Sequence, residues 1–249
     1  METVEWQLAA LVRPREGGHE PKFGLLMLNQ PIKNFDLIRD LWQRSSLRVA
    51  ADGGANQLHA FSQSAPTTFD SLDVIVGDLD SLTSEARAYF ESRGTTVVHE
   101  PEQDSTDFGK AISYIRGTSA SAIDVVAVGG LGGRVDQGIS QLHHLYVYQS
   151  EGYSRGRMYL VSEGSLTVVL KAGRHVIHVR EAEPVFGKHV GILPIREPSV
   201  ISTKGLRWDV DQWETAIGGI VSTSNEVLPE NRVVEVETSK DVLFTISLK

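Results

Sequence analysis

The sequence predicts an α/β fold, with an N-terminal α/β/α domain built on a mostly parallel sheet over residues 1–152 and a C-terminal all-β sandwich over residues 153–249. The length of 249 residues allows one or two domains, each large enough to bury a core. In the first part, short apolar runs alternate with amphipathic stretches, which is typical of a parallel sheet covered by helices on both faces. Beyond Gly152 the pattern changes to β-type runs with few helical intervals, which predicts a second domain.

Five apolar runs of the first domain have the length and composition of buried strands. They are Phe23–Leu28, Leu47–Ala51, Leu72–Val76, Thr95–Val98 and Ile123–Val128. Between them, apolar residues recur at helical spacing, and Asn, Asp or Ser stands near several of the starts, as expected at helix N-termini. The predicted helices are Asn34–Gln43, Ser84–Ser92, Asp107–Ile115 and Gln137–Tyr148.

A polar, glycine-containing break at residues 153–157 begins the second domain. Seven β-type runs follow it, at Met158–Val161, Leu166–Leu170, Arg174–Val179, His189–Pro194, Gly219–Ser222, Arg232–Val236 and Val242–Leu248. A series of short strands without long helices predicts a sandwich or a small barrel.

Charge and composition exclude several classes of function. The chain has 24 basic and 32 acidic residues, a formal net charge of −8, so we expect no nucleic-acid partner. The absence of cysteine excludes disulfides, thiolate zinc sites and cysteine nucleophiles, and it fits a reducing compartment such as the cytoplasm. No run approaches the roughly 18 apolar residues of a membrane span, and the N-terminus lacks the pattern of a secretion signal. His143 and His144 have no partner at a metal-ligand spacing, so we expect structural or surface roles for them.

Polar residues cluster directly after four predicted strands. The segments are AADGGAN at 50–56, GDLDS at 77–81, EQDSTD at 102–107 and GGLGGRVDQ at 129–137. The carboxyl ends of parallel strands share one edge of the sheet. We therefore expect these segments to converge on a single crevice, where such sheets bind their ligands.

Four aspartates in this predicted crevice indicate a metal ion. Asp78 and Asp80 are two residues apart after a buried run, so in an extended chain their carboxylates face the same side. Asp104 and Asp107 lie at a predicted helix start, where one can cap the helix while the other faces the crevice. A single aspartate is more simply explained as a cap or turn residue, but four together would repel one another without a cation. Because Mg²⁺ accepts carboxylates and completes its shell with water and phosphate, the cluster predicts Mg²⁺ with a phosphorylated ligand.

Two glycine-rich turns border the same crevice. The run Gly129–Gly133 leaves a strand and precedes a helix, so its backbone N–H groups would be free to approach phosphate, and Arg134 adds a positive charge. The run is neither a P-loop nor a dinucleotide-binding motif, and a tight strand-to-helix turn explains it equally well. The same two interpretations hold for the turn at Asp52, whose carboxylate would also suit ribose hydroxyls or metal-bound water.

Two polar segments stand among the apolar runs of the second domain. An exposed Trp208 would suit a heteroaromatic or cationic ring, whereas burial in a core or interface is the simpler explanation of a tryptophan. The segment Ser222–Asn225 offers hydroxyl and amide groups to a small polar ligand, although the same residues form ordinary turns.

Six segments, taken together and in this order, resemble the thiamine pyrophosphokinase (thiamine diphosphokinase) family, most closely its eukaryotic form. They are ADGGAN at 51–56, GDLDS at 77–81, QDSTDFGK at 103–110, GGLGGRVDQ at 129–137, GLRWD at 205–209 and STSN at 222–225. The resemblance does not include the segment before about Phe23. Leu79 and Val135 stand where the family more often has an aromatic residue, and Gly138 where it has a bulkier one; these departures affect packing more than chemistry.

The resemblance implies a homodimer whose active sites lie between the α/β domain of one subunit and the β domain of the other. It implies transfer of the pyrophosphoryl group of ATP to the hydroxyl of thiamine, with release of AMP. Carried over by motif, the Mg²⁺ carboxylates are Asp78, Asp80 and Asp107, which form the catalytic set with Arg134. The residues implied on the ATP side are Asp52, Gly53, Asn56, Lys110, Gly130, Gly132, Arg134, Asp136 and Gln137. Those implied on the thiamine side are Gln103 and, contributed by the other subunit, Trp208, Ser222, Ser224 and Asn225.

Positioning and charge neutralisation supply most of the catalysis of such a transfer. Arg134 or Lys110 would stabilise charge on the leaving AMP, and Asp107 or Asp104 would accept the hydroxyl proton unless a late transfer needs no base. Two other functions are alternatives. An Mg²⁺-dependent phosphohydrolase would use the aspartates equally well, whereas a non-catalytic sensor of thiamine or nucleotide has no need of so many like charges.

Overall fold

The computed structural model describes residues 3–13, 22–64, 69–180 and 184–249. The chain forms two compact units, an α/β unit of Pro21–Glu163 and a β-rich unit of Met1–Glu20 with Gly164–Lys249. This division differs from the predicted boundary after residue 152. Residues 158–161 belong to the α/β unit because they add a parallel strand to its sheet, and residues 3–13 belong to the β-rich unit because they pair with a strand far along the chain.

The predicted fold class, a mostly parallel α/β domain followed by a β-rich one, is confirmed. Among the described residues of the first unit, six strands alternate with five helices, and mainly strands follow in the second unit. Within the described residues the elements are β1 (Thr3–Trp6), α1 (Leu8–Val12), β2 (Phe23–Met27), α2 (Phe35–Arg44), β3 (Leu47–Ala51), α3 (Gly54–Ser64), β4 (Val74–Gly77), α4 (Ser84–Glu91), β5 (Thr96–His99), α5 (Asp107–Thr118), β6 (Asp124–Val128), α6 (Val135–Tyr148), β7 (Met158–Val161), β8 (Ser165–Leu170), β9 (Gly173–His178), β10 (Phe186–Leu193), β11 (Ser199–Lys204), β12 (Trp213–Thr215), β13 (Ser222–Glu226), β14 (Val233–Thr238) and β15 (Val242–Leu248).

The sheet of the α/β unit has the strand order β7-β6-β2-β3-β4-β5, and each neighbouring pair is parallel. All residues of β2, β4 and β7 are buried, which explains their unbroken apolar runs. The order of the chain reverses at β2, which has β3 on one side and β6 on the other. A reversal of this kind opens a crevice beyond the carboxyl ends of the strands.

The four predicted helices are confirmed, and three of them begin at side-chain caps. Asn34, Thr83 and Thr106 each accept a hydrogen bond from a backbone N–H in the first turn of α2, α4 and α5. Helix α3 was not predicted from the sequence, because its first residues belong to a segment, ADGGAN, that is typical of a turn. No helix in the described part of the chain is both long enough and apolar enough to cross a membrane.

The β-rich unit contains two sets of paired strands. One has the order β1-β9-β14-β11-β12 and the other β13-β10-β15-β8; among these pairs only β1 with β9 is parallel. The predicted strand Gly219–Ser222 is wrong, since residue 219 closes a turn onto Ala216 and the strand there is β13. Strands β11 and β12 were not predicted, because serine, threonine and charged residues interrupt their apolar pattern.

Candidate active site

The α/β unit has a crevice of about 540 Å³. Its walls are formed by residues that come directly after β2, β3 and β4 in the sequence, and they include the first turns of α5 and α6. The polar segments after the strands converge there, as predicted, because parallel strands bring their carboxyl ends to one edge. The predicted site residues that line it are Asp52, Gly53, Asp78, Asp107, Arg134 and Gln137.

Three carboxylates meet in this crevice. Asp52, Asp78 and Asp107 each place an oxygen within 4.8 Å of the others. The backbone N–H of Asp78 donates to Oδ1 of Asp107 at 3.1 Å, which ties the end of β4 to the start of α5. This trio differs from the predicted one, which had Asp80 in place of Asp52.

The turn at Leu79 explains why Asp80 lies outside the trio. Leu79 has φ +65°, so the chain is not extended there and the alternation expected for Asp78 and Asp80 is lost. The carboxylate of Asp80 instead accepts a hydrogen bond from the Ser81 hydroxyl at 2.9 Å, and its backbone N–H donates to Asp78 Oδ1 at 3.2 Å. The role of Asp80 as a metal ligand stays a prediction.

Asp52 is the most deeply buried member of the trio, with 3% of its surface exposed. Its Oδ2 accepts from the backbone N–H of Ser81 at 3.1 Å, whereas its buried Oδ1 has no hydrogen-bond partner among the described residues. Burial is the main reason why the pKa of Asp52 is raised to about 6, and the charges of the neighbouring aspartates add to it. A buried carboxylate oxygen without a partner is costly, so this atom is suited to a cation.

Lys110 supplies a positive charge beside the trio. Its side chain is almost fully buried, with Nζ 3.3 Å from Oδ1 of Asp107 and 3.9 Å from Oδ2 of Asp78. The pKa of Asp78 lies below its usual range, chiefly because the backbone N–H of Asp80 donates to it, with Gln103 and Lys110 acting in the same direction. One lysine against three carboxylates leaves the crevice negative when all three are ionised, which favours a divalent cation.

The glycines of the two turns allow close packing. A Cβ on Gly54 would lie 2.3 Å from the backbone oxygen of Met27, and one on Gly53 would lie 2.4 Å from Nδ2 of Asn29. In the second run, a Cβ on Gly130 would lie 2.3 Å from the Leu160 side chain. Packing therefore accounts for these three glycines, and the assignment of Gly53, Gly130 and Gly132 to ATP stays a prediction.

Three of the remaining residues predicted to bind ATP have side chains that are hydrogen-bonded within the protein. Arg134 and Asp136 form an exposed two-bond pair at the start of α6, with Nη2 2.5 Å from Oδ2 and Nε 3.1 Å from Oδ1. The hydrogen bond from Arg134 lowers the pKa of Asp136. Asn56 uses both ends of its amide to hold the loop after β4, donating to the Ser81 carbonyl at 2.7 Å and accepting from the Thr83 backbone N–H at 3.0 Å.

Several residues that line the crevice were not predicted from the sequence. Asn29 and Gln30 follow β2, and the Oδ1 of Asn29 accepts from Gln57 at 3.0 Å. Their position directly after an apolar run was the available signal, since that criterion selected the other segments. Gln141, a helix-interior residue, accepts from the Leu131 backbone N–H at 2.5 Å, and no local pattern marks it.

The residues predicted for thiamine fall into two places. In the α/β unit, Gln103 Nε2 lies 3.3 Å from Oδ2 of Asp78. In the β-rich unit, Trp208 is 56% exposed, which excludes a core role within this chain. Asn225 is buried and holds the Trp208 backbone, accepting from its N–H at 3.2 Å and donating to its carbonyl at 2.9 Å. Ser222 and Ser224 lie on the same strand, β13, as Asn225.

A carboxylate-lined crevice at the switch point of a parallel α/β sheet is typical of enzymes that act on phosphorylated substrates. Residues 38–154 match the family model of the thiamin pyrophosphokinase catalytic domain, and residues 174–243 match that of the thiamin pyrophosphokinase vitamin B1 binding domain. The chain belongs to the thiamine pyrophosphokinase family.

Individual relatives agree with this membership. Thiamine pyrophosphokinase 2 of Arabidopsis thaliana is 37% identical over 243 residues, which cover 92% of this chain and 87% of the relative. Thiamine pyrophosphokinase of Saccharomyces cerevisiae is 28% identical, with 97% of this chain and 89% of the relative covered. The crystal structure of yeast thiamin pyrophosphokinase superposes with a TM-score of 0.84 at 26% identity, covering 100% of this chain and 91% of that one.

Proposed function

We infer that this protein is a thiamine diphosphokinase, which transfers the pyrophosphoryl group of ATP to the hydroxyl of thiamine and releases AMP. Both family domains match, and the relatives extend over almost the whole chain. The observation that supports placing the reaction in this crevice is the meeting of Asp52, Asp78 and Asp107 beside Lys110.

Mg²⁺ is the cation that these residues fit. The donors are carboxylate oxygens, and the unpartnered Oδ1 of Asp52 is a buried atom that a cation would satisfy. We propose that Asp52, Asp78 and Asp107 hold Mg²⁺. Asp80, which belonged to the set predicted from the sequence, follows Asp78 by two residues. When bound, Mg²⁺ would neutralise charge on the polyphosphate.

The chain's own groups then have distinct tasks in the transfer. The hydroxyl oxygen of thiamine forms a bond to the β-phosphorus of ATP as the bond from that phosphorus to the oxygen shared with the α-phosphorus breaks, so AMP leaves with that oxygen. Lys110 and Arg134 supply fixed positive charge to the phosphates. The hydroxyl proton passes to Asp107, the first residue of α5, or to Asp104, which precedes the N-cap of that helix, unless a late transfer needs no base.

We assign thiamine to the predicted site residues that are not assigned to ATP or to the metal. Gln103 lies beside Asp78, and the exposed face of Trp208 suits the electron-poor rings of thiamine. In this proposal Trp208, Ser222, Ser224 and Asn225 come from the second subunit of a homodimer, and sedimentation as a monomer under assay conditions would contradict that part. The expected cytoplasmic location belongs to the same proposal.

The test is a product assay with thiamine, ATP and Mg²⁺. We expect thiamine diphosphate and AMP in equal amounts, with neither formed when thiamine or the metal is omitted. Formation of ADP or of free phosphate without thiamine would replace this function by a phosphohydrolase, and binding of thiamine without any product would replace it by a sensor.

A matched pair of variants connects the reaction to the crevice. Asp78→Asn should lower turnover by at least about a hundredfold while the thermal midpoint stays near that of the wild type, because a charged ligand of the proposed Mg²⁺ is removed without loss of packing. Asp36→Asn changes an exposed aspartate at the start of α2 and should keep wild-type turnover. A large loss of stability in Asp78→Asn with normal specific activity would make Asp78 structural.

A further inference from the structure

A chain of hydrogen bonds connects α6 to the first turn of α5, the turn that carries Asp107 and Lys110. Nε2 of His144, on α6, lies 2.8 Å from the hydroxyl oxygen of Thr106. Thr106 is the N-cap of α5, and the same hydroxyl oxygen accepts from the Gly109 backbone N–H at 3.1 Å. The other ring nitrogen of His144, Nδ1, lies 2.6 Å from the backbone oxygen of Ser140.

In each of these hydrogen bonds it is fixed which group donates and which accepts. The carbonyl oxygen of Ser140 can only accept, so Nδ1 of His144 carries a proton. Burial lowers the pKa of His144, which favours the neutral ring and leaves Nε2 as an acceptor. The Thr106 hydroxyl therefore donates to Nε2 while its oxygen accepts from Gly109. Each group has the partner it needs, and the cap hydroxyl has a single orientation.

Ring packing holds His144 in this position. Its ring centroid is 5.0 Å from that of Phe108 and 6.0 Å from that of Tyr148, to which it is nearly parallel. The Tyr148 hydroxyl donates to the Gly109 carbonyl at 2.9 Å, a second bond from α6 to the same turn. A Cβ on Gly109 would lie 3.1 Å from the Tyr148 hydroxyl and 3.5 Å from Nε2 of His144, so glycine leaves room for both.

We infer that His144 is a positioning residue for the carboxylate cluster, which it serves by fixing the N-cap of α5 and hence the placement of Asp107 and Lys110. Asp107 is the residue directly after the cap, and its Oδ1 accepts from the Asp78 backbone N–H at 3.1 Å. A change in the first turn of α5 therefore alters the distance between two members of the cluster. The inference rests on the proposed function in that the cluster is taken to bind the divalent cation.

Two substitutions of His144 separate its hydrogen bond from its packing. His144→Phe keeps a ring beside Phe108 and Tyr148 but removes both nitrogens, whereas His144→Gln keeps an acceptor within reach of Thr106. The probe is Mn²⁺ alone, whose binding to the nucleotide-free protein is measured by electron paramagnetic resonance. We expect His144→Phe to weaken Mn²⁺ binding about fivefold, the effect of one lost neutral hydrogen bond, and His144→Gln to remain within about twofold of the wild type.

Further variants identify Thr106 as the intermediary. His143→Phe changes the exposed neighbour on α6 and should leave Mn²⁺ binding unchanged. Thr106→Ser keeps the cap hydroxyl and should also bind as the wild type does. In a Thr106→Val background, His144→Phe should produce no further loss, because the hydroxyl through which His144 acts is already absent.

The outcomes distinguish this inference from the proposed function. Equal Mn²⁺ affinity in the wild type and His144→Phe, or equal losses in His144→Phe and His144→Gln, would overturn the positioning role. A wild-type protein that binds no Mn²⁺ would overturn both the cation site and the inference. If the wild type forms no thiamine diphosphate but Mn²⁺ binding follows the expected pattern, the proposed function fails and the positioning role is supported.

Discussion

At the residue scale, Asp52 shows how the fold can make one side chain suit the proposed cation site. It follows β3 with φ +40°, an unusual conformation for a residue other than glycine, and this turn places its carboxylate under the loop after β4. One oxygen is satisfied by Ser81 and the other is buried without a partner among the described residues. Strain and a burial cost at a single residue are typical of functional sites rather than of packing.

His144 provides a pH-dependent prediction at the same scale. Because burial lowers the pKa of His144 in the folded state, the unfolded chain binds its proton more readily at mildly acidic pH. The stability that depends on a neutral His144 should therefore be fully present above about pH 6.5. The unfolding free energy should fall as the pH decreases from about 6.5 through the folded pKa of His144.

The measurement is the thermal midpoint between pH 7.5 and 5.5. We expect the wild type to lose stability on acidification more steeply than His144→Gln, which has no proton to bind at this position. His143→Gln, which alters the exposed neighbouring ring, is the matched control; because the charge of His143 is a smaller cause of the lowered pKa of His144 than burial, this variant should follow the wild type more closely than His144→Gln does. Parallel curves for the wild type and His144→Gln would contradict this role of burial.

Contacts between elements determine where glycine is required. Helix α3 begins at Gly54, where its backbone meets the end of β2, and a Cβ there would lie 2.3 Å from the Met27 backbone oxygen. Gly54→Ala should therefore destabilise the protein by about 1–3 kcal/mol, because the clash is with backbone and cannot be relieved by a side-chain rotation.

The control for this prediction is Gly117→Ala, near the end of α5. A Cβ on Gly117 would meet no atom within 4 Å, and alanine is the better helix former, so this variant should be as stable as the wild type or more stable. Both free energies of unfolding are measured by denaturant titration. An unchanged midpoint for Gly54→Ala would mean that α3 can shift away from β2.

At the scale of the whole molecule, the first residues of the chain belong with its last third. Strand β1 pairs in parallel with β9, and the fully buried Trp6 donates through Nε1 to Nδ1 of His175 at 3.0 Å. Leu8 and Ala9 of α1 are also fully buried. The core of the β-rich unit is therefore incomplete without a segment that lies outside both matched family domains.

Trp6→Ala tests this dependence. We expect the free energy of unfolding to fall by about 3–5 kcal/mol, since a large buried side chain and its hydrogen bond are removed. Trp208→Ala, at an indole that is 56% exposed, should change the stability by no more than about 0.5 kcal/mol. A small effect of Trp6→Ala in the same denaturant titration would show that the β-rich unit does not need β1.

The patterns that depend on local sequence predicted much of the fold and of the site. Unbroken apolar runs marked the buried strands of the α/β unit, and the polar segments after those strands marked the crevice, because in a parallel sheet chain order fixes which strand ends share an edge. Asp78, Asp107 and Arg134 were identified in this way. Helix α3 was missed, since its glycine-rich start has the composition of a turn.

What the sequence alone determined is the class of fold, the family and the set of polar segments that form the crevice, because these depend on residue type and order. The tertiary structure alone decided that Asp52 rather than Asp80 faces Asp78 and Asp107, since the turn at Leu79 redirects the chain. It also placed β1 beside β9 and His144 beside Thr106. Trp6 and His175, which join the first pair, are 169 positions apart in the sequence, and Thr106 and His144 are 38 positions apart. Such contacts leave no local pattern, because they depend on which surfaces the folded chain brings together.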